Sequence, residues 1–260
     1  MAIRQLKNLI SFLTIFPVAM TQDMLTDCAK TMWAFPVIGA LIGFLAGAFG
    51  WAASLALPGI VVGGLVLALL LLLTGLHHTD GLLDFGDGVM VHGTPEHKIE
   101  VMHDQLTGAG GLTLGIMTIL ITALAFGQLH TSVAFGSVRI PLIFVGVVVV
   151  ELSAKVSMVV MAWAGKSVHQ GMNSPFLQAM GGSEGNLRLL IALIISVTVA
   201  ALLLRWAGVF VVLAAFICSL IMVAIAHRNF GGVTGDVFGA TNEITRMVCV
   251  VVLLAVAAWV

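Results

Sequence analysis

The chain of 260 residues is 60% hydrophobic and 9% charged, with a mean hydropathy of +1.14 and a formal net charge of -1. Such an apolar composition excludes a soluble globular domain, and the charge balance gives no reason to expect a nucleic-acid partner. Long unbroken apolar runs favour helices over a barrel, whose strands alternate over about ten residues. The three cysteines, Cys28, Cys218 and Cys249, are scattered and fit neither a zinc-ligand spacing nor a disulfide framework.

The opening Met1-Ala2-Ile3-Arg4-Gln5-Leu6-Lys7 leads into an apolar run that looks like a signal peptide. No small-x-small cleavage site follows, and Phe16-Pro17 breaks the run, so residues 1–17 are expected to form an interfacial helix or a short re-entrant piece. Seven membrane spans are expected beyond it, at 33–57, 59–76, 110–128, 138–164, 187–205, 208–226 and 244–260. Pro58-Gly59 and Ala207-Gly208 make two of the turns very tight. The connections 77–109, 165–186 and 227–243 are longer and hold most of the polar residues. With no internal repeat and no dividing linker, the expectation is an all-α polytopic helix bundle forming one integral membrane domain over 1–260.

Lysine and arginine positions orient this bundle. Arg4, Lys7, Lys30, Lys98, Lys166, Arg188, Arg228 and Arg246 fall on one side of it, and Arg139 and Arg205 on the other. The positive-inside rule then puts the amino terminus and all three long connections in the cytoplasm, and the carboxyl terminus outside. Polar loops that share one face can converge on a single site.

The first connection begins His77-His78-Thr79-Asp80-Gly81-Leu82-Leu83-Asp84-Phe85-Gly86-Asp87-Gly88. In a helix, Asp80, Asp84 and Asp87 at i, i+4 and i+7 line one face. Three like charges so close, partly desolvated at a membrane surface, call for a positive partner. A hard divalent cation is the simplest; Mg²⁺ is usually held by one or two carboxylates plus substrate phosphates. Further on, Pro95-Glu96-His97-Lys98-Ile99-Glu100-Val101-Met102-His103-Asp104 predicts a short helix starting at Pro95, with Asp104 as a candidate fourth carboxylate.

Glu151 and Lys155 lie at i, i+4 inside the fourth span, either neutralising each other or leaving Lys155 to reach a substrate phosphate. The loop Lys166-Ser167-Val168-His169-Gln170-Gly171-Met172-Asn173-Ser174-Pro175 adds polar groups without a recognisable motif. His130 is expected on the outer side, away from the site. Before the last span, Gly231-Gly232-Val233-Thr234-Gly235-Asp236 offers glycines that let backbone N–H groups approach a ligand, and a helix beginning there would turn its positive end to phosphate. Asp236 and Glu243, seven apart, share a helical face and are candidate additions to the carboxylate cluster, and Asn242 lies beside them.

These blocks resemble the cobalamin synthases (adenosylcobinamide-GDP ribazoletransferases). The matching residues are His78-Thr79-Asp80-Gly81-Leu82-Leu83-Asp84, Asp87-Gly88, Met102-His103-Asp104 with Gly108, and Gly231 to Ala240 with Glu243, in the family's order and spacing. The double His77-His78 with Leu83 is similar to the archaeal branch. Where the bacterial pattern reads Asp-Ser-Arg, this chain has Asp104-Gln105-Leu106, so any phosphate-binding task of that arginine passes to Lys155, Lys166 or Arg228, or to none.

The resemblance implies the last joining step of adenosylcobalamin assembly. A ribose hydroxyl of α-ribazole, or of its 5′-phosphate, attacks the phosphorus on the cobinamide side of adenosylcobinamide-GDP, and GMP leaves. It implies Mg²⁺ on Asp80, Asp84 and Asp87, with Asp104, Asp236 or Glu243 as further ligands. Asp87 or His103 is the base, and Lys155 offsets phosphate charge. His78, Gly232, Thr234, Gly235 and Asn242 hold substrate. The lipid bilayer is an expected partner, and association with other corrinoid-assembly enzymes or with a second copy of the chain is compatible with the resemblance. Two other classes fit some of the residues. A cation- or proton-coupled transporter would use Glu151 and Lys155, but transport sites lie near the bilayer midplane and no inverted repeat is visible. A CDP-alcohol phosphotransferase also clusters aspartates at a membrane face, but its fuller motif is absent.

Overall fold

Apolar runs of about twenty residues have no water to bond inside a bilayer, so they satisfy their backbone groups as helices. The computed structural model describes residues 3–18, 24–168, 171 and 173–257. Its elements in chain order are α1 (Ile3–Leu13), α2 (Met24–Lys30), a short 3₁₀ turn (Met32–Ala34), α3 (Phe35–Ser54), α4 (Gly59–Leu73), α5 (His77–Met90), α6 (Pro95–Met102) and α7 (Ala109–Gly127). A hairpin of β1 (Ser132–Phe135) and β2 (Val138–Pro141) follows, and then α8 (Leu142–Ala164), α9 (Ser174–Ala179), α10 (Gly182–Phe230) and α11 (Gly235–Val256).

Helix α8 is the central post: in its most apolar window 94% of the residues are buried inside the protein. Helices α3, α10 and α11 pack around it. Between lipid-bathed helices close packing must replace the hydrophobic drive, and small residues provide it. Gly39, Gly43 and Gly47 present one face of α3 to α8, so close that an added Cβ would lie 2.7, 2.7 and 2.6 Å from backbone atoms of Glu151, Val148 and Phe144. Gly63 does the same between α4 and α7, where a Cβ would come within 2.1 Å of the Ala123 carbonyl oxygen.

Among the described residues, five helices are long and apolar enough to cross a membrane, or six if the bent pair α4 and α5 counts as one span. The expected seven differ from this at two places. Helix α10 runs 49 residues but breaks at Arg205, whose φ of 53° and ψ of -139° are not helical. A Cβ on Gly208 would sit 2.2 Å from the Ala200 carbonyl oxygen. Residues eight apart in a straight helix are about 12 Å apart, so α10 doubles back as two arms, and the expected turn at Ala207-Gly208 falls at Arg205 instead. Helix α4 has 15 residues and stops at Leu73. Gly75 and Leu76, with φ of 68° and 63°, then turn the chain so that α5 departs at 97° to α4.

Two boundaries also move. The expected span 138–164 begins with strand β2, antiparallel to β1 around Gly136 (φ 61°), and the helix starts only after Pro141. The last helix begins at Gly235 rather than 244, because Thr234 caps it by accepting from the Val237 N–H. The helix expected over residues 1–17 is α1, tied to α2 through Arg4 Nε to Asp27 Oδ2 at 3.0 Å and Asn8 Nδ2 to Asp27 Oδ2 at 2.9 Å. The short helix expected at Pro95 is α6, with Thr94 as its cap.

Neighbouring glycines of α4 test the packing argument. Gly63→Leu should destabilise the detergent-solubilised protein by about 1–3 kcal/mol, while Gly64→Leu, whose added Cβ meets nothing within 4 Å, should change it by less than about 0.5 kcal/mol. Thermal melting of the two variants against the parent measures both.

Candidate active site

The acidic segment forms α5, and its glycines explain how it is held. Gly81 lies against the backbone of Asp236, where a Cβ would come within 2.8 Å, and Gly239 of α11 lies against His78 in return. On the other side Gly86 meets Gly110 and Gly111 at the start of α7. Helix α5 is thus wedged between the first turns of α11 and α7, and its aspartates line the remaining face. Asp80 is exposed, and Asp84 and Asp87 are half-buried.

Asp236, in the first turn of α11, is half-buried and within electrostatic reach of Asp80, Asp84 and His103. Residues about 150 positions apart in the chain therefore meet at one rim. Burial first, and then the charges of Asp236, Asp80 and Asp87, push the Asp84 carboxyl up to about 7. A carboxyl in that state wants a cation beside it.

Whether a divalent ion fits can be judged from the donors. Among the described residues no group of three or more His, Cys, Asp or Glu side chains closes around a single point as a protein-only metal cage. Mg²⁺ does not need one, since it keeps several waters and takes one or two carboxylates together with substrate phosphates. Asp80, Asp84 and Asp236, within electrostatic reach of one another, offer only oxygen donors, the kind that such an open site draws on.

Asp87 is placed differently from the expectation. Its Oδ2 accepts from the Gly108 N–H at 2.7 Å and its Oδ1 from the Gly111 N–H at 2.8 Å. It caps the amino terminus of α7, where free N–H groups and the helix dipole both attract a carboxylate. Each of its oxygens accepts one of these bonds, so Asp87 anchors α5 to α7. Asp104 lies just past α6, exposed, with its Oδ1 accepting from the Leu106 N–H at 3.0 Å. His103, exposed at the end of α6, is within electrostatic reach of Asp236.

The glycine-rich block divides. Gly231 ends α10 in the left-handed conformation (φ 76°). Gly232 is buried beneath the 165–174 loop, its position for a Cβ 2.5 Å from the Lys166 carbonyl oxygen, and Thr234 is spent on capping α11. Gly232 lets backbone lie on backbone, and the Thr234 hydroxyl serves Val237 and Asp236. Gly235 is exposed with open space around it, as a ligand-facing residue must be. In the 165–174 loop the Val233 N–H donates to the Lys166 carbonyl at 2.7 Å, and Asn173 Nδ2 donates to the Val233 carbonyl at 2.8 Å. His169, Gln170 and Met172 of that loop lie outside the described residues. Lys166 and Arg228 are exposed and share a rim, because the Lys166 N–H donates to His227 Nε2 at 3.1 Å.

The interior charges correct the sequence reading most. Glu151 and Lys155 do not pair with each other. Glu151 accepts from Arg246 Nε at 2.6 Å, and Lys155 Nζ donates to Asn242 Oδ1 at 2.7 Å. Glu243 accepts from Arg246 Nη1 and from Asn242 Nδ2. All five are buried. Glu243 shares a face with Asp236 but stands about 10 Å deeper along α11, so it reaches the arginine and not the aspartates. Asn242 and Lys155 likewise touch no substrate space, and Arg246, counted among the loop charges, is fully buried within α11. His78, on the buried side of α5, has the charges of Lys155 and Arg246 nearby and an Nδ1 without a hydrogen-bond partner among the described residues.

The sequence model of one family, cobalamin-5-phosphate synthase, matches residues 5–254. The chain belongs to that family. Among its relatives in the cobalamin-5-phosphate synthase family, the adenosylcobinamide-GDP ribazoletransferase of Methanosarcina mazei is 33% identical over 254 residues, covering 95% of this chain and 90% of the relative. The enzyme of the same name from Methanocella arvoryzae is 34% identical over 266 residues, covering 96% and 95%. That of Thermococcus kodakarensis is 30% identical over 259 residues, covering 96% and 98%. No solved structure matches the chain.

Arg246 was the residue the sequence reading of this synthase family member missed. An arginine three residues into an expected span, with Glu243 three before it, is an intramembrane ionisable pair and a signal in its own right. For the rim, removal of the α7 cap provides a check. Asp87→Ala should lower stability by about 0.5–2 kcal/mol, whereas Asp80→Ala, exposed and capping nothing, should leave the melting temperature in place while weakening Mg²⁺ binding. Thermal melts and Mg²⁺ titration by calorimetry separate the two.

Proposed function

We propose that this chain joins α-ribazole, or its 5′-phosphate, to adenosylcobinamide-GDP with release of GMP. The observation that carries the reading is the meeting of Asp80 and Asp84 of α5 with Asp236 of α11 at one polar rim. Its names come from the relatives, which are called adenosylcobinamide-GDP ribazoletransferases.

The chemistry asks little covalent work of the protein. The attacking ribose hydroxyl forms a bond to the phosphorus on the cobinamide side, and the bond from that phosphorus to the bridging oxygen breaks, so that GMP departs with the electron pair. Such displacements are governed by positioning and by neutralising charge on phosphate oxygens. Asp80, Asp84 and Asp236 would hold Mg²⁺, which supplies that neutralisation when bound. His103 would take the proton of the attacking hydroxyl. Lys166 and Arg228, exposed at the neighbouring rim, take over the phosphate contact that the absent arginine after Asp104 would otherwise make. Gly235 leaves room for the substrate to approach the amino end of α11.

The rim opens to the cytoplasm in this reading. With Arg246 withdrawn into the interior, Arg4, Lys7, Lys30, Lys98, Lys166, Arg188 and Arg228 still lie on its side, against Arg139 and Arg205 on the other.

Two measurements test the proposal. Purified protein with GDP-activated cobinamide, α-ribazole and Mg²⁺ should release GMP, detected by chromatography, and a chelator should stop it. Asp84→Asn should cut the rate by about a hundredfold or more while the protein stays folded in the membrane. Full activity in that variant would remove Asp84 from the metal. For orientation, Glu96→Cys on α6 should resist a membrane-impermeant maleimide in intact cells, while Val138→Cys on the β hairpin, 59% exposed, should react.

A further inference from the structure

The buried charges that the transfer reaction leaves unused form one connected object. Glu151 and Lys155 stand one turn apart on α8, and Asn242, Glu243 and Arg246 stand close together on α11. Arg246 reaches Glu151 through Nε to Oε1 at 2.6 Å and through Nη2 to Oε2 at 3.3 Å, and it reaches Glu243 through Nη1. Asn242 completes the ladder, donating Nδ2 to Glu243 Oε1 at 3.1 Å and accepting from Lys155 Nζ at 2.7 Å. The amide orientation is forced, because only its oxygen can face the ammonium and only its nitrogen can face the carboxylate. Glu151, Lys155, Asn242 and Arg246 are 0% exposed and Glu243 is 3% exposed. Two positive charges balance two negative ones, so the ladder is neutral as a whole.

Such a ladder admits one register. Sliding α11 along α8 by one residue's rise, about 1.5 Å, or turning it by the accompanying 100°, would strand ionised groups in an apolar interior. A buried charge robbed of its partner is strongly destabilising, which disfavours any other setting of the two helices. Asp236 rides on the same helix six residues before Asn242, and its backbone lies against Gly81 of α5. The axial setting of α11 therefore fixes how far Asp236 stands from Asp80 and Asp84.

We propose that Lys155, Asn242, Glu243, Arg246 and Glu151 are positioning residues that hold α11 in the register where Asp236 faces the α5 aspartates. None of them touches the reacting atoms. The consequence for turnover rests on the transfer reading above, whereas the geometric consequence does not.

The test uses full-length protein in lipid nanodiscs. Met90, at the end of α5, is 64% exposed, Gly235 is exposed, and the native Cys28, Cys218 and Cys249 are all buried. Met90→Cys and Gly235→Cys therefore accept nitroxide labels selectively, and pulsed EPR reads the distance from α5 to the start of α11 without metal or substrate. Kinetics are measured on unlabelled protein. Asn242→Leu strands the Lys155 ammonium and should lower the melting temperature and shift the distance by about 1.5 Å or more, one residue's rise. Adding Lys155→Met and Glu243→Gln removes the stranded ammonium together with one carboxylate, so that Arg246 and Glu151 remain as a neutral pair. In this triple variant the melting temperature should recover while the distance stays shifted. Its kcat should stay about tenfold or more below the parent, with KM for the GDP-activated cobinamide within about twofold.

Recovery of melting temperature, distance and kcat together would show a ladder that only stabilises, and would overturn the positioning role. A shifted distance with parental kcat would overturn the link from Asp236 to turnover. If the parent protein releases no GMP, the transfer reading fails by itself, and the EPR distances still decide the ladder.

Discussion

An ionised side chain inside a membrane helix must find its opposite, and in this fold Arg246 finds two. Its guanidinium, fully buried, spans from Glu151 on α8 to Glu243 on its own helix. The rigid fork of an arginine can serve two carboxylates at once, which a lysine's point charge cannot do with the same geometry. Around this pair the most deeply buried helix, α8, is joined to the helix that carries Asp236. Everything at the rim inherits its position from that junction, because α5 is in turn packed onto α11 through Gly81 and Gly239.

The glycines of α5 bring that position to the surface. Side chains at 81 and 86 would push α5 away from α11 and α7 by the width of a methyl group or more, and the carboxylates would then face one another across a wider gap. Asp87 ties the same helix to the first turn of α7. An acidic helix is thus held on two sides by contacts that use none of the charge at Asp80 and Asp84. Asp87 alone of the three aspartates of α5 is tied into these contacts.

Much of this was legible in the sequence, for physical reasons. Carboxylates are so rare in an apolar chain that Asp80, Asp84 and Asp236 stand out, and a charge bias that puts their loops on one side implies that they meet. The reading failed where spacing names a face but not the neighbour on it. The i, i+7 relation placed Asp87 correctly on α5 but was silent about the α7 terminus waiting there. The same relation joined Glu243 to Asp236, though two turns of depth separate them. Glu151 and Lys155 looked like a pair because i, i+4 residues are neighbours on one helix, yet better partners stood on another. Window averages hid the β hairpin inside an apolar run, since Val138 and Ile140 count the same in a strand as in a helix. The reversal within α10 was legible from Ala207-Gly208, but its place was set two residues earlier by the backbone angles of Arg205.

The short fourth helix has a bearing on the lipid. Fifteen residues rise about 22 Å, against about 30 Å of hydrocarbon in an ordinary bilayer. The remaining depth is not spanned there, because the chain turns through 97° at Gly75 and Leu76 and runs sideways as α5. Lipids flanking this corner must thin to meet it, at a modest cost per ångström. Thinning of that kind would set the acidic helix at the level of the headgroups rather than above them.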